Sequence, residues 1–444
     1  MGMGKRLTKF IFLSFILAIV LKGPASLAAI DLKTAAAIDQ EIEKNRAEII
    51  KIRRFLHMNP ELGNREYETS KLVANKLTAL GLEVKTGVAK TGVVGLLTGA
   101  LPGPTIAIRA DLDALPIAEE NDFPYKSLNP GVMHACGHDF HTSIALGTAT
   151  ILSSLKDKIR GKIKFIFQPA EEGAPPGEEG GAELMIREGV LIEPPVRAIF
   201  GLHVWPDLKT GQVGYAPGYL MASSDSFTLT VKGKSAHGAR PQEGIDAIVI
   251  AAEIISNLQN IRSRLVDPTE SLVISIGKIQ GGVRSNIIAE TVILEGTVRT
   301  LNAGVRESIP GLIENLAQGI CQSYGATFTL DYERQLPPVY NHPEFLNAVL
   351  PWLAESPGED NLIEVKPQMV AEDFAFYAEK IPAFYFFLGV KSPGQMIAPP
   401  LHSPNFNPDE RAIPVGIRAM CHLVLNALEQ QASLKTASET PPVN

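Results

Sequence analysis

The sequence predicts an α/β protein with a mostly parallel sheet covered by helices on both faces and a small ferredoxin-like α+β domain inserted into it. Three observations carry that expectation. Short runs that are apolar on both faces alternate with helix-length segments, as in a parallel sheet buried on both sides. Between about residues 223 and 332 the order becomes β-α-β-β-α-β, that of a ferredoxin-like sandwich. The α/β rhythm then resumes, so the main domain is discontinuous. A chain of 444 residues is also too long for one ordinary core.

The N-terminus stands apart from this plan. Lys5, Arg6 and Lys9 precede an apolar run over 10–21, followed by Gly23-Pro24 and a small-residue stretch from Ala25 to Ala29. Charged, apolar and small-residue regions in that order read as a secretory signal cut after Ala28 or Ala29. The run is well short of the roughly 20 residues a membrane anchor needs, and no cysteine lies near the cut for lipid attachment. The expectation is a signal peptide over 1–29 and a mature protein that is exported, periplasmic or extracellular, with no stable membrane anchor.

The remaining elements follow from periodicity and stop signals. Ile42, Ile49, Ile50, Ile52, Phe55 and Leu56 recur at helical spacing over 38–57, and Pro60 stops that helix. A second helix over 69–80 closes at Gly81. Strands are expected over 93–97, 105–110, 162–167, 198–203 and 383–389, with helices over 140–155, 182–188 and 411–428. The first part of the main domain is then 30–222 and the second 333–430. In the inserted unit, 223–332, strands are expected over 226–231, 272–279, 291–300 and 326–332, with helices over 247–258 and 305–324. The tail 431–444 is rich in Ser, Thr and Pro and is expected to be disordered.

Composition narrows the function classes. Hydrophobic content of 45% and charged content of 20% are those of a soluble globular protein, and a net charge of −7 gives no reason to expect nucleic acid. Cys136, Cys321 and Cys421 are too few for a disulfide framework, with a Cys321–Cys421 bridge the one pairing left open.

The densest chemistry lies in His134-Ala-Cys-Gly-His-Asp-Phe-His141. Cys136 and His138 are good ligands for a borderline-soft divalent metal, and the intervening Gly lets the loop turn tightly. Asp139 is placed to cap a helix beginning at Phe140. A lone Cys-x-His would more often be a buried cysteine beside surface histidines. Other pieces change that balance. The strand over 162–167 runs into Gln168-Pro-Ala-Glu-Glu172, and adjacent carboxylates repel unless something positive sits between them. Adjacent side chains diverge, so one can bind metal while the other faces water. Glu178-Glu179 just downstream reads as a solvated acidic turn. His203 ends the strand over 198–203, Asp111 and Asp113 follow the strand over 105–110, and His402 follows the strand over 383–389.

Polar groups at successive strand C-terminal ends line the crevice where open parallel sheets bind ligands. Cys136, His138, Glu172, His203 and His402 make five ligand-type residues, too many for one zinc with an open position and suited to two neighbouring ions. Glu171 is the carboxylate left over, placed to take a proton from water, and Asp113 is placed to orient a ligand.

These motifs resemble the dimetal amidohydrolases that include hippurate hydrolase, plant auxin (indole-acetic acid)–amino acid conjugate hydrolase, aminoacylases and related metallo-carboxypeptidases. The resemblance rests on Arg109-Ala-Asp-Leu-Asp-Ala-Leu-Pro116, His134-Ala-Cys-Gly-His-Asp139, Gln168-Pro-Ala-Glu-Glu172 and Gly201-Leu-His-Val204. Gly233-Lys-Ser-Ala-His237, Arg284-Ser-Asn-Ile-Ile288 and Leu401-His-Ser-Pro404 complete the series, in the family's order from about 45 to 428. It implies two divalent ions per chain, Mn2+ or Zn2+, with Cys136, His138, Glu172, His203 and His402 as ligands and Glu171 as general base. It further implies that the inserted unit is a lid that also forms a homodimer contact, and that His237 stabilises the oxyanion. Asn286 and Arg299 would lie near the substrate, an N-acyl amino acid. One departure is Gln242, where the family often has His, so the role of that second histidine does not carry over; Arg240 beside it is a candidate for altering substrate choice. Two alternatives remain at this level: an exported solute-binding protein, and an N-acetyl-diaminopimelate deacetylase or dipeptidase.

Overall fold

The computed structural model of this chain describes residues 30–430, so the expected signal segment and the C-terminal tail lie outside the described residues. The first part contains α1 (Leu32–Met58), α2 (Tyr67–Ala79), β1 (Glu83–Val88), β2 (Gly92–Thr98) and β3 (Leu101–Asp111). It continues through α3 (His138–Ser154), β4 (Arg160–Gln168), α4 (Gly181–Arg187), β5 (Val196–Lys209), β6 (Val213–Tyr215) and β7 (Gly218–Met221). The inserted unit comprises β8 (Ser224–Lys232), α5 (Ala247–Asn260), β9 (Leu272–Gly281), β10 (Thr291–Thr300), α6 (Ala303–Tyr324) and β11 (Thr327–Leu336). The chain then returns through β12 (Val339–Asn341), α7 (Pro343–Ala354), β13 (Leu362–Glu364), α8 (Ala375–Ala378), β14 (Ala383–Lys391) and α9 (Ala412–Glu429).

The main sheet has eight strands in the order β1-β2-β4-β3-β5-β14-β6-β13. Its centre, β4-β3-β5-β14, is parallel throughout, while β1, β2 and β6 join antiparallel. The parallel centre is buried on both faces: Arg160–Gln168 and Ala383–Lys391 are apolar over most of their length, as such strands must be. Helices α1, α3, α7 and α9 cover one face around Phe140, Phe165, Phe200 and Trp352. Helices α4 and α8 cover the other around Met185, Phe374 and Tyr385.

Strand order reverses at β3, because β4 lies on one side of it and β5 on the other. Pairing also stops at different points on the two sides. β3 stays with β4 as far as Asp111–Gln168 but leaves β5 after Ile108–Phe200. The two strands therefore splay at their C-terminal ends, and the crevice between Arg109–Asp111 and the second half of β5 is where open α/β sheets place ligands.

The second sheet is antiparallel in the order β11-β8-β10-β9, the ferredoxin-like arrangement, with α5 and α6 packed on it through Phe227, Leu229, Ile250, Ile254, Ile309 and Ile313. Its last strand runs to Leu336, four residues past the edge expected at 332.

Several expectations shift. β5 does not end at His203 but continues to Lys209, because β14 pairs with it as far as Lys391–Lys209. α3 begins at His138 rather than Phe140; its N-cap position is Gly137 with φ 91°, so Asp139 lies inside the first turn. Helix α7 was not anticipated. Pro343 stands in its first turn, where a fixed φ favours initiation, and Pro351 inside it masks the helical pattern. All three cysteines are free thiols, which removes the Cys321–Cys421 bridge.

Candidate active site

Five loops and strand ends converge on the crevice beside β3. Cys136 and His138 come from the turn into α3. A side chain at Gly137 would place its Cβ 2.3 Å from Val204 Cγ2, so only glycine lets this turn sit on β5. Glu171 and Glu172 follow β4, His203 lies within β5, and His402 follows β14. Ala170 (φ 52°) and His402 (φ 60°) both occupy the left-handed region. Strained conformations of this kind persist where the surroundings over-determine them, and they concentrate at functional sites.

The five predicted ligands fall into two overlapping triads. Donor atoms of Cys136, His138 and His203 lie within 4.8 Å of one another, and so do those of Cys136, Glu172 and His402. Cys136 Sγ is common to both, 3.3 Å from His203 Nε2 and 3.2 Å from His402 Nε2. His402 Nε2 is also 3.3 Å from Glu172 Oε1. Neighbouring groups orient the rings. His203 Nδ1 donates to Val204 O at 2.7 Å, leaving Nε2 as the lone-pair nitrogen. His138 Nδ1 faces Asp113 Oδ1 at 3.3 Å, so its Nε2 points toward Glu171 and Glu172.

The chemistry of this donor set fits divalent cations. His138 Nε2 and Glu172 Oε1 are buried without a hydrogen-bond partner, an arrangement that costs free energy unless a cation or a donor meets them. Burial disfavours a charged His138 ring, yet Asp111 and Asp113 push it up to about 10, so the pocket favours positive charge at that position. Burial, then His141, lowers His203 to about 4 and keeps it a neutral ligand. Burial, then the Glu172 and Glu171 charges, push the Cys136 thiol up, whereas a bound divalent ion would favour the thiolate.

Other ligand-type residues are engaged elsewhere. His141, at the end of the dense motif, is buried with Nδ1 2.6 Å from Asp111 Oδ1, and its Nε2 accepts the Val204 N–H at 3.0 Å. It therefore holds β5 to α3. Asp139 accepts the Phe140 N–H with one oxygen, while the other lies 2.8 Å from His57 Nδ1 and 2.9 Å from Arg53 Nε. It anchors α3 to α1 rather than capping the helix from outside. Glu178 and Glu179 lie on the solvated turn expected for them, but Glu178 is not idle there. It pairs with Arg65 and Lys90 and holds the loop after Glu172 against the α1–α2 connection.

Sequence reasoning missed an acidic pair that repeats the Glu171-Glu172 signal. Glu372 and Asp373 are buried beside Glu171, their oxygens within 4.8 Å of its own. Arg109 binds Glu372 at 2.9 Å, Asp373 at 2.6 Å and Asp111 at 2.8 Å, and Gln168 bridges Arg109 and Asp373. A buried arginine at a strand end followed by acids, as in Arg109-Ala-Asp, signals such a knot, since an arginine is fully buried only when paired. Burial, then Glu372 and Glu172, hold Glu171 well above the usual carboxylate range.

The inserted unit contributes differently. Among the described residues no hydrogen bond or ion pair joins His237, Asn286 or Arg299 to the five clustered side chains. His237 is exposed on the loop after β8, where its Nδ1 accepts the Ala239 N–H at 3.0 Å. That loop pairs with the one carrying Asn286, whose carbonyl accepts the Gly238 N–H at 2.8 Å. Arg299 lies on β10, half-buried, with burial lowering its pKa against the pull of Asp225. Arg240 pairs with Glu243 in its own turn at 3.2 Å.

Residues 107–426 match the sequence profile of peptidase family M20/M25/M40. This chain belongs to that family. It is 42% identical over 311 residues to an N-acyl-L-amino acid amidohydrolase of Geobacillus stearothermophilus, covering 70% of this chain and 82% of the relative. It is 40% identical over 382 residues to an N-acetylcysteine deacetylase of Bacillus subtilis, covering 86% of this chain and 97% of the relative. The crystal structure of a dinuclear metal-binding M20 peptidase from Bacillus subtilis superposes with a TM-score of 0.74 at 38% identity, covering 87% of this chain and 99% of that one. Membership of the M20 family makes the chain a metal-dependent amidohydrolase and sets aside the solute-binding alternative.

Proposed function

We propose that this chain hydrolyses the amide bond of N-acyl amino acids with two divalent cations, as an exported homodimer. One observation carries the reading: two donor triads share Cys136 and use all five expected ligands, and Glu171 stands beside them, near His138 and the Glu372–Asp373 pair. A spare carboxylate beside a complete ligand set is what hydrolysis needs and what simple metal storage does not.

The ions, Mn2+ or Zn2+ held by Cys136, His138, Glu172, His203 and His402, supply Lewis acidity toward the scissile carbonyl and toward water when bound. Glu171 takes the proton of the attacking water and returns it to the leaving amine. Arg109, Glu372 and Asp373 fix the floor on which Glu171 rests. Asp113 orients His138 and the Glu172 backbone. His237, brought in by closure of this lid or by the lid of a second copy, donates to the developing oxyanion. Asn286 stands on the loop paired with it. Arg299 makes no side-chain hydrogen bond among the described residues, so its two-pronged donor set is free for the substrate carboxylate.

Two features support the homodimer. β9 is an edge strand of the lid sheet, and Val273, Ile279 and Val283 on and beside it are exposed. An unpaired apolar edge of this kind is ordinarily covered. Sedimentation should give a dimer, and a monomer at micromolar concentration would remove the lid contact from the reading. For export, the mature N-terminus should lie at Ala29 or Ile30; an intact Met1 on protein recovered outside the cytoplasm would contradict cleavage.

The deciding experiment is a substrate panel of acetyl, benzoyl, indole-acetyl and fatty-acyl amino acids beside free dipeptides and N-acetyl-diaminopimelate. Cleavage of N-acyl amino acids, lost when the α-carboxylate is amidated, is the expected result. Preference for free dipeptides or for N-acetyl-diaminopimelate would replace this reading with the dipeptidase or deacetylase alternative.

A further inference from the structure

The connection between α1 and α2 lies directly under the turn that carries Glu171. At Gly63 an added Cβ would stand 2.8 Å from Gly173 O and 3.1 Å from Ala170 Cα, so the two segments touch backbone to backbone. Asn64, itself at φ 59°, donates to Glu179 O at 3.0 Å. Glu66 is fully buried. Its Oε1 accepts the Ala170 N–H at 2.9 Å, and its Oε2 accepts the Thr91 hydroxyl. Burial, then the nearby Asp113, push the Glu66 carboxyl up to about 7.

Ala170 is where the chain turns, with φ 52° in a region that a Cβ disfavours. Two residues later the Glu172 N–H is accepted by Asp113 Oδ2 at 2.9 Å. The Pro169–Ala170 and Glu171–Glu172 peptide groups are thus each held by a buried carboxyl from a different part of the chain. Glu171 faces Glu372 and Asp373, Glu172 faces Cys136 and His402, and both reach toward His138 Nε2. Glu66 Oε1 is the acceptor that meets the Ala170 N–H in this left-handed turn, alongside the Gly173 N–H that Ala170 O accepts.

We infer that Glu66 is a positioning residue of the hydrolytic reaction: by accepting the Ala170 N–H it holds the left-handed turn that aims Glu171. The inference rests on the reading of Glu171 as general base. What matters is reach rather than charge. Glutamine keeps an acceptor at the same length, and its amide can donate to a rotated Thr91 hydroxyl. Aspartate is one methylene short and leaves the Ala170 N–H without a partner at hydrogen-bonding distance.

The test compares wild type, Glu66→Gln, Glu66→Asp, Glu66→Ala and Glu171→Gln with N-acetyl-L-methionine as substrate, measuring kcat, KM, metal content and melting temperature. Glu66→Gln should keep kcat within a few-fold. Glu66→Asp and Glu66→Ala should lower kcat by about 10-fold or more, as a small misplacement of a reacting group does, with KM and metal content nearly unchanged. The inference is overturned if Glu66→Asp keeps full kcat, if folded Glu66→Gln loses as much as Glu66→Ala, or if metal is lost in Glu66→Ala. Should Glu66→Ala not fold, Glu66→Gln and Glu66→Asp still decide. Near-normal turnover in Glu171→Gln would remove the general-base reading and this inference with it. An inactive Glu171→Gln beside fully active Glu66→Asp and Glu66→Ala would remove this inference alone.

Discussion

Asp113 holds Glu172 by its backbone, accepting the Glu172 N–H at 2.9 Å with one carboxylate oxygen while the other stands 3.3 Å from His138 Nδ1. One side chain from the end of β3 therefore ties together two candidate ligands from different segments. Replacing it by alanine should weaken metal binding by about 10- to 100-fold, the usual cost of losing a residue that orients ligands. Metal titration monitored by activity and by stoichiometry checks this, and activity should return at high metal. Unchanged affinity in Asp113→Ala would show that the ligands orient themselves.

The two adjacent glutamates should respond differently to the same change. Glu171→Gln keeps size and polarity but cannot take a proton, so kcat should fall by roughly 10²-fold or more with metal retained. Glu172→Gln removes an anionic ligand, so metal should be weakened and activity partly recovered by excess metal. Steady-state kinetics with metal analysis on both variants distinguishes the roles. Metal loss in Glu171→Gln would exchange the assignments.

Cys136 belongs to both donor triads, so its loss should be felt twice. The purified protein should hold close to two divalent ions per chain and lose activity on chelation. Cys136→Ala should retain fewer ions than His203→Ala or His402→Ala, whose residues stand in one triad each, as read by elemental analysis after dialysis. A single ion bound equally well before and after Cys136→Ala would contradict the two-ion reading.

Glu178 gives a pH test away from the centre. Hydrogen bonds from Arg65 and then Lys90 lower its carboxyl to about 2 from the usual 4.5. A carboxylate depressed in the folded state stabilises the fold above its unfolded pKa, and that contribution fades as pH falls from about 4.5 toward 2. The gap in urea midpoint between wild type and Glu178→Gln should therefore be constant at neutral pH and narrow below about pH 4.5. Added salt should also narrow it, because the pairs are partly exposed. A gap that widens on acidification would mean that Glu178 acts in another way.

Much of this arrangement was legible in the sequence because it rests on residue types with few other uses. Cys136, His138, Glu172, His203 and His402 lie close together in the fold, and the β-α-β-β-α-β order of the inserted unit is the one found. What escaped prediction depends on pairing across long sequence distances. The extension of β5 beyond His203 is set by β14, which no local pattern of β5 reveals. Glu66 looks like an ordinary charged residue ahead of a helix, and only its burial under Ala170 gives it another meaning. Asp139 has the composition of a cap but is drawn to Arg53 and His57 from α1. His237, Asn286 and Arg299 remain apart from the cluster because the lid that carries them is a separate layer.

The insertion of that lid also sets a timetable. Cys136, His138, Glu172 and His203 all precede β8, whereas His402 follows β11, and its loop is placed by the pairing of β14 with β5. Chain emerging in order therefore carries four of the five donors, then the whole lid, and only near its end the strand and loop that bring the fifth. A polypeptide interrupted between the lid and β14 would leave Cys136 without its His402 neighbour. The full donor set therefore exists only once the chain is complete, and a fragment ending before β14 would carry most of the recognisable motifs without it.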